Sequence, residues 1–116
     1  MIATFILPLP PSLNNAFNNV AGIGRVKTSE YKSWRNAAAW QIKAQRQPTI
    51  EGDVVAHLTI QRPNKSSDLD NRLKAIFDAA QTAGIIKNDN QIVEIHARWG
   101  NVKGAHVIMA NVEVSS

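Results

Sequence analysis

Residues 67–84 read SDLDNRLKAIFDAAQTAG, and the spacing inside this stretch decides the architecture. Leu69, Leu73, Ile76, Phe77 and Ala80 recur at helical intervals, so one face is apolar and needs a partner to cover it. Gly84 falls where the left-handed residue that ends a helix belongs. Upstream, residues 53–61 alternate: Val54, Ala56, Leu58 and Ile60 point one way, Val55, His57, Thr59 and Gln61 the other. That is a half-buried strand. Downstream, the polar turn Lys87-Asn88-Asp89-Asn90 leads into two more strands, roughly 91–99 and 105–114, joined by a turn at Gly100–Gly104. The second carries apolar residues on both faces, which fits an interior strand or a subunit contact.

At the other end, residues 2–7 (IATFIL) form a short strand stopped by Pro8, Pro10 and Pro11. A loop from Pro8 to about Lys27 follows, long for a compact domain and therefore a candidate for function. Thr28 then caps a helix whose stripe is Tyr31, Trp34, Ala38 and Ile42, running until Pro48. Trp40 lies off that stripe and is expected to pack on a neighbouring loop or on a second subunit. The order β-α-β-α-β-β predicts a two-layer α+β fold, one small mixed sheet with helices on one side, in a single domain over 1–116.

The chain's 116 residues suffice for one core, and 44% hydrophobic against 19% charged residues excludes disorder as a description of the whole. With no cysteine there is neither a disulfide framework nor a thiolate zinc site. No apolar run approaches the ~18 residues of a membrane span. A soluble cytoplasmic protein is expected. Its net charge of +4 is concentrated: Arg25, Lys27, Lys32, Arg35, Lys43 and Arg46 face Glu30 alone between positions 25 and 46. Such a segment is either a solvated helix face or a contact for a polyanion.

Chemistry is suggested by Asp68 and Asp70. Residues two apart on a helix point about 200° apart, so they converge only if Asp68 sits before or at the cap and Asp70 in the first turn. Ser66, Ser67 and Asp68 offer a capping pattern that permits this, and capping alone would also explain the acids. Lys74 lies one turn past Asp70, with Asp78 a turn further as a competing ion-pair partner. Asp89 is a third carboxylate, five residues past Gly84. It approaches Asp70 only if the chain turns back along the helix, which periodicity leaves open. Were the three to converge, their repulsion would call for a hard dication, and Mg²⁺ prefers carboxylate oxygens. His57, His96 and His106 show no His-x-x-x-His spacing, so zinc is not expected.

Three segments taken together, LPLPPSLNN near the N-terminus, SDLDNRLKAIFDA and NDNQIVEI, resemble the RusA family of crossover-junction endonucleases, small bacterial and prophage resolvases. They occur in the family's order and span nearly the whole chain. The resemblance implies a homodimer, associated with the nucleoid, that binds branched DNA at four-way junctions and cuts two opposing strands with Mg²⁺, one or two ions per subunit. It implies that Asp68, Asp70 and Asp89 hold metal, that Lys74 is the essential lysine, and that Asp89 returns to the helix start. Ser12 and Asn14 match the family pattern; Asn14 is a candidate DNA contact, although a rigid Pro10-Pro11-Ser12 turn with Asn14 bonded to its own backbone also accounts for them. Where better-known members carry an arginine-rich run, this chain has Arg62-Pro63-Asn64-Lys65-Ser66-Ser67, leaving Lys65 and the 25–46 segment as phosphate contacts. Asn88 stands where an acid is familiar. Two other readings compete: a basic DNA-binding module without catalysis, its acids merely capping a helix, and a metal-dependent hydrolase of small nucleotides.

Overall fold

The computed structural model describes residues 1–12, 17–20 and 24–112. In chain order the elements are β1 (Ile2–Leu7), β2 (Phe17–Val20), β3 (Gly24–Lys27), α1 (Ser29–Ala44), β4 (Val54–Gln61), α2 (Leu73–Ala83), β5 (Ile92–Gly100) and β6 (Ala105–Asn111). Short 3₁₀ turns at Asp70–Arg72 and Asp89–Gln91 bracket α2. The main sheet runs β1-β6-β4-β5, with β4 and β5 parallel and the other pairings antiparallel. This is the mixed α+β sheet the spacing predicts, and β6, apolar on both sides, is indeed interior. One element was not legible: β2 and β3 pair as an antiparallel hairpin inside the expected loop.

The core follows from alternation. Ala3, Phe5 and Leu7 of β1, Val54, Ala56, Leu58 and Ile60 of β4, and Ala105, Val107 and Met109 of β6 face one way and are buried. Ala38 and Ile42 of α1 and Ile76, Phe77, Ala79 and Ala80 of α2 join the same buried cluster. A parallel pair needs a long crossover, and α2 is that crossover between β4 and β5. The opposite sheet face is uncovered: Ile2, Ile6 and Ile108 are about half exposed, and the rings of His57 and His96 stack 4.8 Å apart across β4 and β5.

Local chemistry sets the borders. Thr28 accepts the Tyr31 amide through its hydroxyl oxygen at 3.1 Å and so starts α1 as expected. Gly84, at φ 84°, ends α2 in the left-handed conformation. The outer margin of β1 is occupied by side chains: Gln45 accepts from the Ile6 amide at 2.8 Å and donates to its carbonyl at 2.7 Å, while Gln47 accepts from the Thr4 amide at 2.9 Å.

Gly104 closes the β5–β6 turn at φ 72°, and a Cβ there would collide with the Leu7 carbonyl oxygen, which belongs to backbone and cannot swing away. Gln61 accepts its amide at 2.9 Å. Gly104→Ala is expected to cost about 2–3 kcal/mol, read as a fall of roughly 10 °C in Tm. An unaltered Tm would show that the turn has room to move.

Candidate active site

The approach to α2 is organised by Asn64. Its Oδ1 accepts from the Ser66 amide at 3.0 Å, the Ser66 hydroxyl at 2.8 Å and the Ser67 hydroxyl at 3.1 Å. The serines that looked like helix caps are thus used inside an Asx turn. Neither Leu69, which precedes the 3₁₀ turn, nor Arg72, which precedes α2, makes a side-chain cap bond. The capping role open to Asp68 and Asp70 is not realised. Asp68 is exposed and accepts only from Asn71 Nδ2, at 3.3 Å, while exposed Asp70 makes no ion pair among the described residues.

Asp89 arrives from the other end of the helix. After Gly84 the Ile85 amide bonds back to the Ala80 carbonyl at 3.0 Å, and the chain reverses. Asn88 caps the next 3₁₀ turn in a reciprocal box with Gln91, whose amide nitrogen also holds the Ile50 and Gly52 carbonyls, each at 2.9 Å. The Asp89 amide donates to Gln81 Oε1 at 3.2 Å. The turn is therefore re-entrant, and Asp89 Oδ2 lies 2.8 Å from Lys74 Nζ.

Lys74 is the junction of a polar chain. Its Nζ also lies 3.2 Å from Asp78 Oδ1, and the buried Tyr31 hydroxyl donates to the other Asp78 oxygen. Hydrogen bonding to Asp89 leads the effects that hold the Lys74 ammonium above its usual pKa, against the opposing desolvation. In this arrangement both carboxylates favour the charged ammonium. Burial, then the bond to Asp78, pushes the Tyr31 phenol far above its usual range, with Arg35 opposing. Half of the Lys74 side chain is open to solvent, so the ion pairs add little stability but leave the charge reachable.

Asp68 and Asp70 thus sit before and at the head of α2, Lys74 follows one turn on, and its ammonium reaches along the helix to Asp89. The set remains open. Among the described residues no group of three His, Cys, Asp or Glu side chains stands close enough to hold a metal ion. The chemistry of the donors, carboxylate oxygens without thiolate or imidazole, nevertheless suits a hard dication.

Lys32, Lys43, Arg46 and Lys65 are exposed, Arg35 is partly covered, and Arg25 and Lys27 lie on β3. Asn14 lies outside the described residues. Trp40 does not pack on a loop as expected but stands 72% exposed. Two participants escaped the sequence reading. Arg72 Nη1 donates to the Pro10 carbonyl, joining the proline motif to the head of α2. Tyr31 supports Asp78, and the signal for it was a tyrosine on a buried stripe, since a buried phenol needs a partner.

The small α+β domain carries exposed carboxylates and a lysine along its crossover helix, and its sequence places it among the endodeoxyribonucleases. The family described as "Endodeoxyribonuclease RusA" matches residues 8–114, and the chain belongs to that family. It is 31% identical over 113 residues to the "Crossover junction endodeoxyribonuclease RusA" of Aquifex aeolicus (strain VF5), covering 96% of this chain and 90% of that protein.

Proposed function

We propose that this protein is a Mg²⁺-dependent endonuclease that resolves four-way DNA junctions as a homodimer, by paired phosphodiester hydrolysis that leaves 5′-phosphate and 3′-hydroxyl ends. The observation that carries the reading is the head of α2. Two exposed acids there neither cap the helix nor pair with a cation among the described residues, and a reachable lysine is drawn toward a third acid returned from the turn beyond the helix. Acids that cap nothing are hard to explain in a DNA-binding module without catalysis.

Asp68, Asp70 and Asp89 would hold Mg²⁺. Bound there, the ion would lower the pKa of a water and stabilise the leaving oxygen. Lys74 supplies positive charge where the transition state gathers negative charge. Its ammonium now neutralises Asp89 and Asp78; once Asp89 is otherwise neutralised, Lys74 is free to turn to the phosphate. Asp78, one turn along α2, steadies the lysine ammonium, and Tyr31 of α1 holds Asp78 in turn. Lys32, Arg35, Lys43, Arg46 and Lys65, with Arg25 and Lys27 of the hairpin, neutralise backbone phosphates and carry no sequence information. Two copies related by a two-fold axis would present two such sites to the two strands cut.

The test is cleavage of a synthetic four-way junction with and without Mg²⁺, beside a linear duplex of the same arms, with ligase sealing used to assign the ends. Mg²⁺-dependent, paired nicking of the junction alone is expected. Absence of cutting, or equal cutting of the duplex, would overturn the reading.

A further inference from the structure

Trp40 is 72% exposed, the most exposed large hydrophobic side chain among the described residues. An indole left in water forgoes a large burial gain, so its position asks for an occupant. It sits on the outward side of α1 with Asn36 one turn before it and Lys43 just beyond, whose Nζ lies 5.5 Å from the ring centroid. With Ala39 and with Thr82 of α2 these residues line a shallow groove of about 180 Å³, room for one base-sized ring. Ala39 keeps the floor low, and the Thr82 hydroxyl is spent on the Asp78 carbonyl, so the groove presents mainly an aromatic face beside a cation. Lys32 and Arg35 continue the positive charge along the same helix.

Thr82 follows Lys74 and Asp78 at four-residue intervals on α2. Two helical turns span about 11–12 Å, so the groove lies on the same side of the molecule as the lysine and a nucleotide or two away from it. A flat π-face flanked by ammonium groups suits a nucleobase whose neighbouring phosphates meet the lysines. Inside a duplex the base faces are already stacked on one another; only an open strand or a branch point has one to offer.

We propose that Trp40 is a stacking platform for an unpaired nucleobase of the DNA strand held at Lys74, with Lys43 on the adjoining phosphate. This rests on the nucleic-acid reading of the site and adds what distinguishes branched from continuous DNA.

The full-length protein is compared with Trp40→Ala, Trp40→Phe and Lys43→Ala. Binding is followed by anisotropy to a four-way junction carrying 2-aminopurine at the crossover, to a single strand carrying the same base, and to a paired duplex. Trp40→Ala is expected to weaken junction and single-strand binding about tenfold, with duplex binding and the salt slope unchanged. Trp40→Phe should stay within about threefold of the parent. The quenching of 2-aminopurine emission should vanish with alanine and persist with phenylalanine. Lys43→Ala should instead reduce the slope of affinity against salt by about one unit. Unaltered binding and emission in Trp40→Ala overturn the platform. So does a shift from dimer to monomer in sedimentation caused by that substitution, which would assign the indole to a second copy. If the wild type quenches the single strand but cuts no junction with Mg²⁺, the nuclease reading fails and the platform stands.

Discussion

Asp70→Asn is expected to lower the rate of junction cleavage by about 10²–10³-fold while leaving junction binding equal or tighter. The side chain is exposed and makes no ion pair among the described residues, so its carboxylate is dispensable for folding. Its replacement removes a negative charge from a surface that must approach phosphates. Catalysis and affinity should therefore separate, with Tm unmoved. Single-turnover cleavage beside a gel-shift titration reads both. Undiminished cutting would remove Asp70 from the site and, with it, the proposed metal set. A parallel loss of binding, cutting and Tm would mean that the acid has a structural task the geometry does not reveal.

The second large effect is on stability. Ile76 lies on α2 two residues from Lys74, fully buried in the cluster shared with β1, β4 and β6. Ile76→Ala removes three carbons from a place where rigid strands on one side and α1 on the other limit collapse. A loss of about 3–4 kcal/mol is expected, seen as a fall in Tm of roughly 15 °C. Cleavage measured well below the new Tm should change far less, because the polar chain from Tyr31 to Asp89 lies on the other side of the helix. A Tm within two or three degrees of the parent would mean that α2 is not anchored through this residue.

The contrast between these two substitutions matches what the sequence could and could not disclose. Burial periodicity is a local property, so the faces of α1, β4 and α2 were legible, down to Thr28 as cap and Gly84 as terminator. The β2–β3 hairpin was not. Each strand is only four residues long, and the Asn18, Asn19 and Gly24 within them read as loop chemistry. Asn64 was also hidden, because it competes with the helix for the Ser66 and Ser67 hydroxyls from outside the capping pattern. For the site, residue types and order pointed to Asp68, Asp70, Lys74 and Asp89, with the family resemblance supplying their roles. The return of Asp89 depends on two local features, Gly84 and the Asn88–Gln91 box, and on the grip of Gln91 on Ile50 and Gly52, contacts about forty residues away that no spacing rule encodes. The Lys74–Asp89 ion pair is likewise a contact between residues fifteen apart that helical periodicity does not disclose.

The carboxamides of Gln45 and Gln47 have a consequence for how copies of this chain can associate. They already occupy the Thr4 and Ile6 amides and the Ile6 carbonyl along one rim of the sheet, which makes that rim a poor template for a foreign peptide. Growth into ribbons by that route is disfavoured. The uncovered sheet surface and the far rim along β5 carry no comparable side-chain cover among the described residues, and a contact there can close on itself after a single partner.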